Sequence, residues 1–322
     1  VEQLRGPYWI FYLLATFVIV LVINGGLWIE GSLPVGSLDP ENSGFGFLVF
    51  YYLFLYHYLT HTASKALHSF RPLLDASDDE FSKIEQGLTQ LPRWIGRLIL
   101  LFGFGIGVLS VINDPMYTER VEPLLWLIML DSIITSFLTV TFFAMITRSI
   151  RQLLLVNRLQ KSATNLNLMN LAPAHAFSSL TARTGIGVIF AGVSTYVLEF
   201  LTFGSIINPT IYLSFSALAL AAFVLPVIGI KNRIEDEKEG ALERIAVLLQ
   251  QNFDRLHTIK NDTELQDLEK VKTMADALIS ERDLLSKVST WPWNPATLRS
   301  FASALLLPIF LWVVTRLLEN IF

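Results

Sequence analysis

The sequence predicts an all-α, polytopic membrane protein with seven transmembrane helices, N-terminus inside and C-terminus outside, and helical cytoplasmic extensions. Three observations predict it. Of the 322 residues 52% are hydrophobic and only 16% charged, against roughly 25% charged in a soluble domain. The apolar residues come in blocks of about 20, the length that crosses a ~30 Å hydrocarbon core. Lysine and arginine fall on alternate loops. The absence of cysteine excludes a disulfide framework, a thiolate metal site and a cysteine nucleophile. A net charge of −4 without a basic stripe presents no footprint for nucleic acid.

The spans read in order as residues 8–29, 46–66, 94–112, 124–147, 184–203, 211–230 and 296–317. Turn formers separate them: Pro34, Gly36, Asp39-Pro40 and Asn42 in the first loop, Asn113-Asp114-Pro115 after the third span, Pro123 before the fourth, and Asn208-Pro209 between the fifth and sixth. The first span is too long for a signal-peptide core and no small-residue cleavage site follows it. Arg5, five cations in residues 65–97, five in 148–183 and ten in 231–289 make 21 of the 24 Lys and Arg. All 21 lie on one side of a seven-span chain. The positive-inside rule makes that side cytoplasmic.

Three regions follow. Residues 1–230 form a six-span region with cytoplasmic helical loops 67–92 and 148–183. Residues 231–289 form a cytoplasmic helical hairpin, and 290–322 the last transmembrane helix. Ser77-Asp78-Asp79-Glu80 has capping-box spacing and predicts a helix over 78–88. The acidic run Asp75–Glu80 is no calcium loop, because the sixth position is Glu80 rather than glycine. Residues 148–162 lack Gly and Pro and extend the fourth span by ~20 Å. Pro173 opens a helix that runs over 174–203. In the hairpin, Leu242, Ile245, Leu249, Phe253, Leu256 and Ile259 recur at helical spacing, Lys260–Asp262 turns, Thr263 and Gln266 form a second capping box, and Leu265 to Val288 continue the period. Each stripe needs a partner, from the span extensions or from another subunit; the alternative is a solvated hairpin. Trp291 and Trp293 fit the interfacial belt, Asn294 an N-cap and Pro295 a first helical position.

Polar groups inside a membrane mark structure or function. Asp131 lies two turns into the fourth span beside Ser132, Thr135 and Ser136, which suits either a hydrogen-bonding role or an ion or proton path. Glu199, near the outer end of the fifth span, reaches water. His57 and His61 are four apart on one helix face. That spacing can share a metal, but Tyr58 stands where a metalloprotease needs Glu, and hydrogen bonding to neighbours is the stronger reading. The last span carries Thr297, Ser300, Ser303 and Thr315, with Pro308 in its middle. These hydroxyls either pack against other helices or wall a water path; Ser300, Ser303 and Leu307 share one face and are the candidate pore lining. Gly103/Gly107 and Gly187/Ala191 are small-residue pairs that permit close helix contact. No phosphate loop, nucleophile elbow or potassium filter is present, so no catalytic residue, cofactor or resident metal is assigned.

His57–Ala63, Ala66–Asp75, Leu88–Pro92 and Asn170–Ala182 resemble stretches of uncharacterised prokaryotic multi-pass membrane proteins, which implies a prokaryotic plasma membrane. The arrangement of seven spans, inner N-terminus, prolonged middle spans and a last span led in by a cytoplasmic helix resembles the insect chemoreceptor family. That resemblance implies a tetrameric ligand-gated cation channel with its anchor in the cytoplasm and its pore on the last span. With the acidic outer groups Glu30, Asp39, Glu41, Asp114, Glu119 and Glu122, the reading is a homo-oligomer embedded in membrane lipid that conducts cations. A non-conducting scaffold or assembly factor is the alternative, and a transporter ranks below it because no inverted repeat is evident. The charge asymmetry carries a direct test: an enzyme reporter fused after Phe322 is active only outside the cytoplasm, and activity inside breaks the seven-span reading.

Overall fold

A computed structural model describes residues 7–113, 125–164, 166–203, 209–258, 265–293 and 295–319, and every regular element among them is helical. Helix α1 (Tyr8–Glu30) ends on Gly31, whose φ of 81° lets its amide close onto Trp28 O at 3.2 Å; a left-handed cap of this kind favours glycine. Helix α2 (Pro40–Phe70) opens on a proline and runs into a 3₁₀ turn, Arg71–Leu73. Helix α3 (Asp78–Thr89) carries the capping box as expected. The Ser77 hydroxyl accepts from the Glu80 amide, and the Glu80 carboxylate accepts from the Ser77 amide at 3.0 Å. Helix α4 (Arg93–Ile112) follows after Pro92. Helix α5 (Leu125–Lys161) is unbroken for 37 residues, so the fourth span and its extension are one rod. Helix α6 (Ser178–Phe203) is followed by α7 (Pro209–Val224), a 3₁₀ turn at Leu225–Val227, and α8 (Ile228–Thr258). Helix α9 (Leu265–Ser286) pairs with α8, and α10 (Pro295–Glu319) ends the described chain.

Six helical stretches are long and apolar enough to cross a membrane: Tyr8–Glu30, part of Asp78–Ile112, Ile128–Lys161, Ser178–Thr202, part of Tyr212–Arg255, and Pro295–Leu317. Their apolar side chains face outward in bands, as with Leu13, Phe17 and Val18 on α1 and Leu101 and Phe102 on α4. In a multi-pass membrane protein these bands meet lipid. Helix α2 is not among the six. Tyr51, Tyr52, Tyr56, Tyr58, His57 and His61 dilute it, because α2 is the helix that faces other helices: Leu48, Tyr52, Leu55 and Leu59 are all buried.

Pairwise contacts fix the directions. Tyr51 donates to Gly187 O at 2.7 Å, while Arg183 lies 5.5 Å from the Tyr58 ring and 3.5 Å from Thr62 Oγ1, so α2 and α6 run antiparallel along most of their lengths. Tyr52 packs on Phe142 and Tyr56 on Arg148, so α2 and α5 run parallel. Phe301 meets Gly185 and Thr315 meets Tyr196, so α10 runs parallel to α6. Helices α4 and α5 come closest. A Cβ at Gly103 would stand 3.0 Å from Val140 Cα, and one at Gly107 would overlap the Ser136 backbone. In lipid, where apolar contact gives no hydrophobic gain, this close approach is what van der Waals packing needs.

The main core lies at the end that also holds α3 and the extensions of α5 and α8. There Leu67 and Phe70 of α2, Leu88 of α3, Val156 of α5, Phe177, and Ile230 and Ile234 of α8 are buried together. The hairpin has its own small core of Ile245, Leu249, Ala275, Leu278 and Leu285, with Leu168 packed against it.

Two sequence expectations change. The helix expected over 174–203 starts at Ser178 instead. Residues 172–177 form successive turns, with His175 N bonded to Leu171 O and Ala176 N to Pro173 O, which fold Ala174 and Phe177 into the core. Phe253, assigned to the buried stripe, is 44% exposed while Leu249 is 8%; two paired helices bury a narrower strip than the apolar period spans. The turn at Lys260–Asp262, Thr263, Leu256 as a side chain, and the cap at Asn294 lie outside the described residues.

The glycine contacts yield a paired test. Gly107→Val forces the α4–α5 backbones apart and lowers stability by about 2–3 kcal/mol. Gly105→Ala meets nothing within 4 Å, removes a helix-interior glycine and leaves stability unchanged or higher by up to ~1 kcal/mol. Thermal unfolding of the two variants in one detergent measures both.

Candidate functional site

Helix α10 carries the predicted pore residues. One side of it is fastened. Phe301 stacks on Phe223 at 3.8 Å between ring centroids, and Trp293 stacks on the same ring at 4.4 Å. Further along, Tyr196 Oη and Thr315 Oγ1 share a buried 2.6 Å hydrogen bond, and Thr315 also donates to Trp312 O. The Tyr196 ring meets Tyr212 edge-on at 4.9 Å. Pro308, which removes a helix hydrogen bond, sits against a small enclosed space of about 10 Å³ bounded also by Gly192, Tyr212 and Ser216. The buried Tyr212 hydroxyl has no partner among the described residues.

The other side of α10 is open. Ser300 and Ser303 are exposed, beside Leu306 and Phe310 at 61% each. Leu307 is half-buried at the edge of this face. The two serines therefore lie on the exposed side of α10, with Leu307 at its margin.

The intramembrane polar groups of α5 are mostly absorbed by neighbours. Thr135 Oγ1 lies 3.5 Å from Asp131 Oδ1, both residues half-buried. Ser136 donates across to Phe104 O, Thr139 to Thr135 O and Thr141 to Leu138 O. Glu199 is half-buried one turn beyond Tyr196. His57 and His61 part company: His57 hydrogen-bonds Tyr12 Oη at 3.0 Å and stacks on Tyr8 at 5.3 Å, whereas His61 is exposed. No three His, Asp or Glu side chains among the described residues come together in a manner that could hold a metal ion.

Sequence reasoning missed the most heavily engaged polar group. Arg148, 4% exposed, donates from Nη1 to Tyr56 O at 2.7 Å and from Nη2 to Thr89 O at 3.0 Å, with its guanidinium 4.0 Å over the Tyr56 ring. One turn on, Gln152 donates to Leu88 O at 3.2 Å. Both side chains thus cap the carbonyl end of α3, where the helix dipole is negative, while Asp78, Asp79 and Glu80 occupy its positive end. The Ser77 amide and hydroxyl hold the Glu80 carboxyl below its usual range. The only sequence signal for Arg148 was an arginine inside an unbroken apolar helix. His175, at the same end of the molecule, has its imidazole pushed below its ordinary 6.5 by burial and stays neutral at pH 7.

No protein family, curated protein or solved structure matches the chain.

Replacing Arg148 tests the cap. Arg148→Met leaves Thr89 O without its donor, while Tyr56 O keeps the Thr60 hydroxyl; the loss costs about 2–4 kcal/mol and releases α3. Amide exchange across residues 78–89 rises in the variant while α6 keeps its protection; equal exchange in both proteins refutes the role.

Proposed function

We propose that this multi-pass membrane protein works as an oligomer of itself and conducts cations along a path built from α10. One observation carries the reading: α10 is fastened along one side by Phe223, Tyr196 and α6, and leaves a face with two hydroxyls, Ser300 and Ser303, directed away from its own chain. Copies that meet through this side would put the serines on a shared axis. Hydroxyls there replace part of an ion's hydration, and Leu307 at the rim narrows the path with an apolar ring that gates by dewetting.

The topology belongs to the same proposal. Helix α2 pairs antiparallel with α6 from Tyr51–Gly187 to Thr62–Arg183, so it crosses wherever α6 crosses and brings the spans to seven. The end holding α3, α8 and α9 carries most of the lysine and arginine, which makes it cytoplasmic and puts the N-terminus with it.

A second reading, a non-conducting scaffold, is favoured by one feature. The hairpin exposes Val247, Leu248, Phe253, Met274, Ile279 and Leu284, enough apolar surface to hold a partner.

Liposome flux separates the two. Under the channel reading Leu307→Ser raises basal cation flux severalfold and Ser303→Leu lowers it. Because Ser303 is exposed in the single chain, Ser303→Leu leaves the unfolding temperature of dispersed protein unchanged. Background flux in folded wild type and in Leu307→Ser favours the scaffold.

A further inference from the structure

Where α4 begins, an open cleft of about 410 Å³ runs between α4 and α5. Its walls are Gly96, Leu100, Val140 and Ala144, and Arg93 and Arg97 stand on its rim. The apolar floor continues toward the lipid-facing band of Leu101 and Phe102, both exposed, and the exposed Trp94 stands beside the rim as an interfacial anchor.

Three features of this cleft lack an account inside the protein. The first is charge. Arg93 and Arg97 are exposed and, among the described residues, make no hydrogen bond, ion pair or ring contact. They are one turn apart in the first two turns of α4, where the helix dipole is positive and cations are disfavoured. The second is the helix end. No acidic residue lies in the first turn of α4, and Pro92 provides no side-chain cap. The third is Gly96. A glycine in a helix interior weakens it. At Gly103 and Gly107 the missing Cβ is required by the neighbouring backbone, but a Cβ on Gly96 would meet nothing within 4 Å. Gly96 lies on the wall of the cleft and leaves it open.

We infer that this cleft binds one anionic phospholipid, with its phosphate between Arg93 and Arg97 and an acyl chain laid over Gly96 against Leu100, Val140 and Ala144. Charge complementarity selects the headgroup. Two guanidiniums and a bare helix N-terminus attract a phosphate and offer nothing to choline's cation. The apolar floor selects a lipid over a soluble anion, since inorganic phosphate would leave the cleft unfilled. The cleft opens at the end of the bundle that also holds α3, so under the topology proposed above the lipid belongs to the inner leaflet. The binding itself needs only that the chain is in a membrane.

Native mass spectrometry of the full chain in detergent tests this, with dioleoyl phosphatidylglycerol and dioleoyl phosphatidylcholine added at equal concentration. Wild type retains one phosphatidylglycerol per chain in preference to phosphatidylcholine. Arg93→Gln with Arg97→Gln lowers that retention by roughly tenfold or more. Gly96→Leu fills the cleft and also loses the lipid, with an unfolding temperature in lipid-free detergent equal to or above that of wild type. Glycerol 3-phosphate does not compete. Equal retention of the two lipids, or an unchanged preference in the double arginine variant, overturns the proposal. So does competition by glycerol phosphate as strong as by the lipid, which would mark a soluble-anion site. The arginine pair is exposed and decides the question even where Gly96→Leu fails to fold. Because both lipids reach the protein from detergent, the result is independent of span orientation and of ion flux, and its failure is distinct from theirs.

Discussion

The polar end of the molecule depends on a guanidinium buried between three helices. Arg148 belongs to α5, but its hydrogen bonds go to the carbonyls of Tyr56 on α2 and Thr89 on α3. An arginine buried without a carboxylate is costly to desolvate. Here the cost is offset by two charge-assisted bonds, by the Tyr56 ring beneath the cation, and by the negative end of the α3 dipole. Once α3 is held there, Leu88 and Phe81 close over the α2 and α5 surfaces, and the largest core of the chain becomes possible. Just past the end of α5, Thr164 N donates to Leu73 O of the 3₁₀ turn at 2.8 Å.

The same device recurs. Arg233 donates to Ala163 O at 2.6 Å, just past the end of α5, and Lys238 donates to Ser286 O and Val288 O, at the end of α9. Cations that a charge count treats as topological labels are also helix caps. Arg148 Nη2 and Lys238 reach carbonyls at or just past the ends of helices, which leave such groups without partners. Arg148 is buried, so salt screens its bonds little. Within the apolar part the grip is different. Glycines at 103 and 107 bring α4 onto α5, and single hydroxyl bonds such as Tyr196–Thr315 and Tyr51–Gly187 link helices.

Local signals were legible in the sequence and cross-helix partners were not. The capping box at Ser77, the unbroken run of α5 through Lys161 and the start of α10 at Pro295 follow from residue types within a few positions of each other, and the helices begin and end there. The start of α6 was misread because Pro173 satisfies the rule for a first turn. What decides the matter is the burial of Phe177 and Ala174 in a core assembled from α2, α5 and α8, which no local pattern contains. Phe253 fails for a related reason: periodicity reports which residues could share a face, not how wide a face the partner covers. Arg148, Tyr12–His57 and Tyr196–Thr315 join residues 45 to 119 positions apart in the last two cases. The serines of α10 were legible as a pair because they need only one helix.

A contrast between the two classes of arginine bears on what the molecule does at its membrane boundary. Arg148 and Arg183 are engaged by oxygens or rings of another helix, and Arg233 by the Ala163 carbonyl just past α5. Arg93 and Arg97 occupy the positive end of a helix, face outward and engage nothing among the described residues. Their guanidiniums stand over an open space at Gly96 that is apolar. Helix α10 presents the complementary case, a span whose hydroxyls look outward while its aromatic groups are locked inward. In both places the unfilled requirement lies on the outside of a single chain. On both proposals an outward-facing group is answered by something outside the chain, lipid at the base of α4 and a further copy at α10.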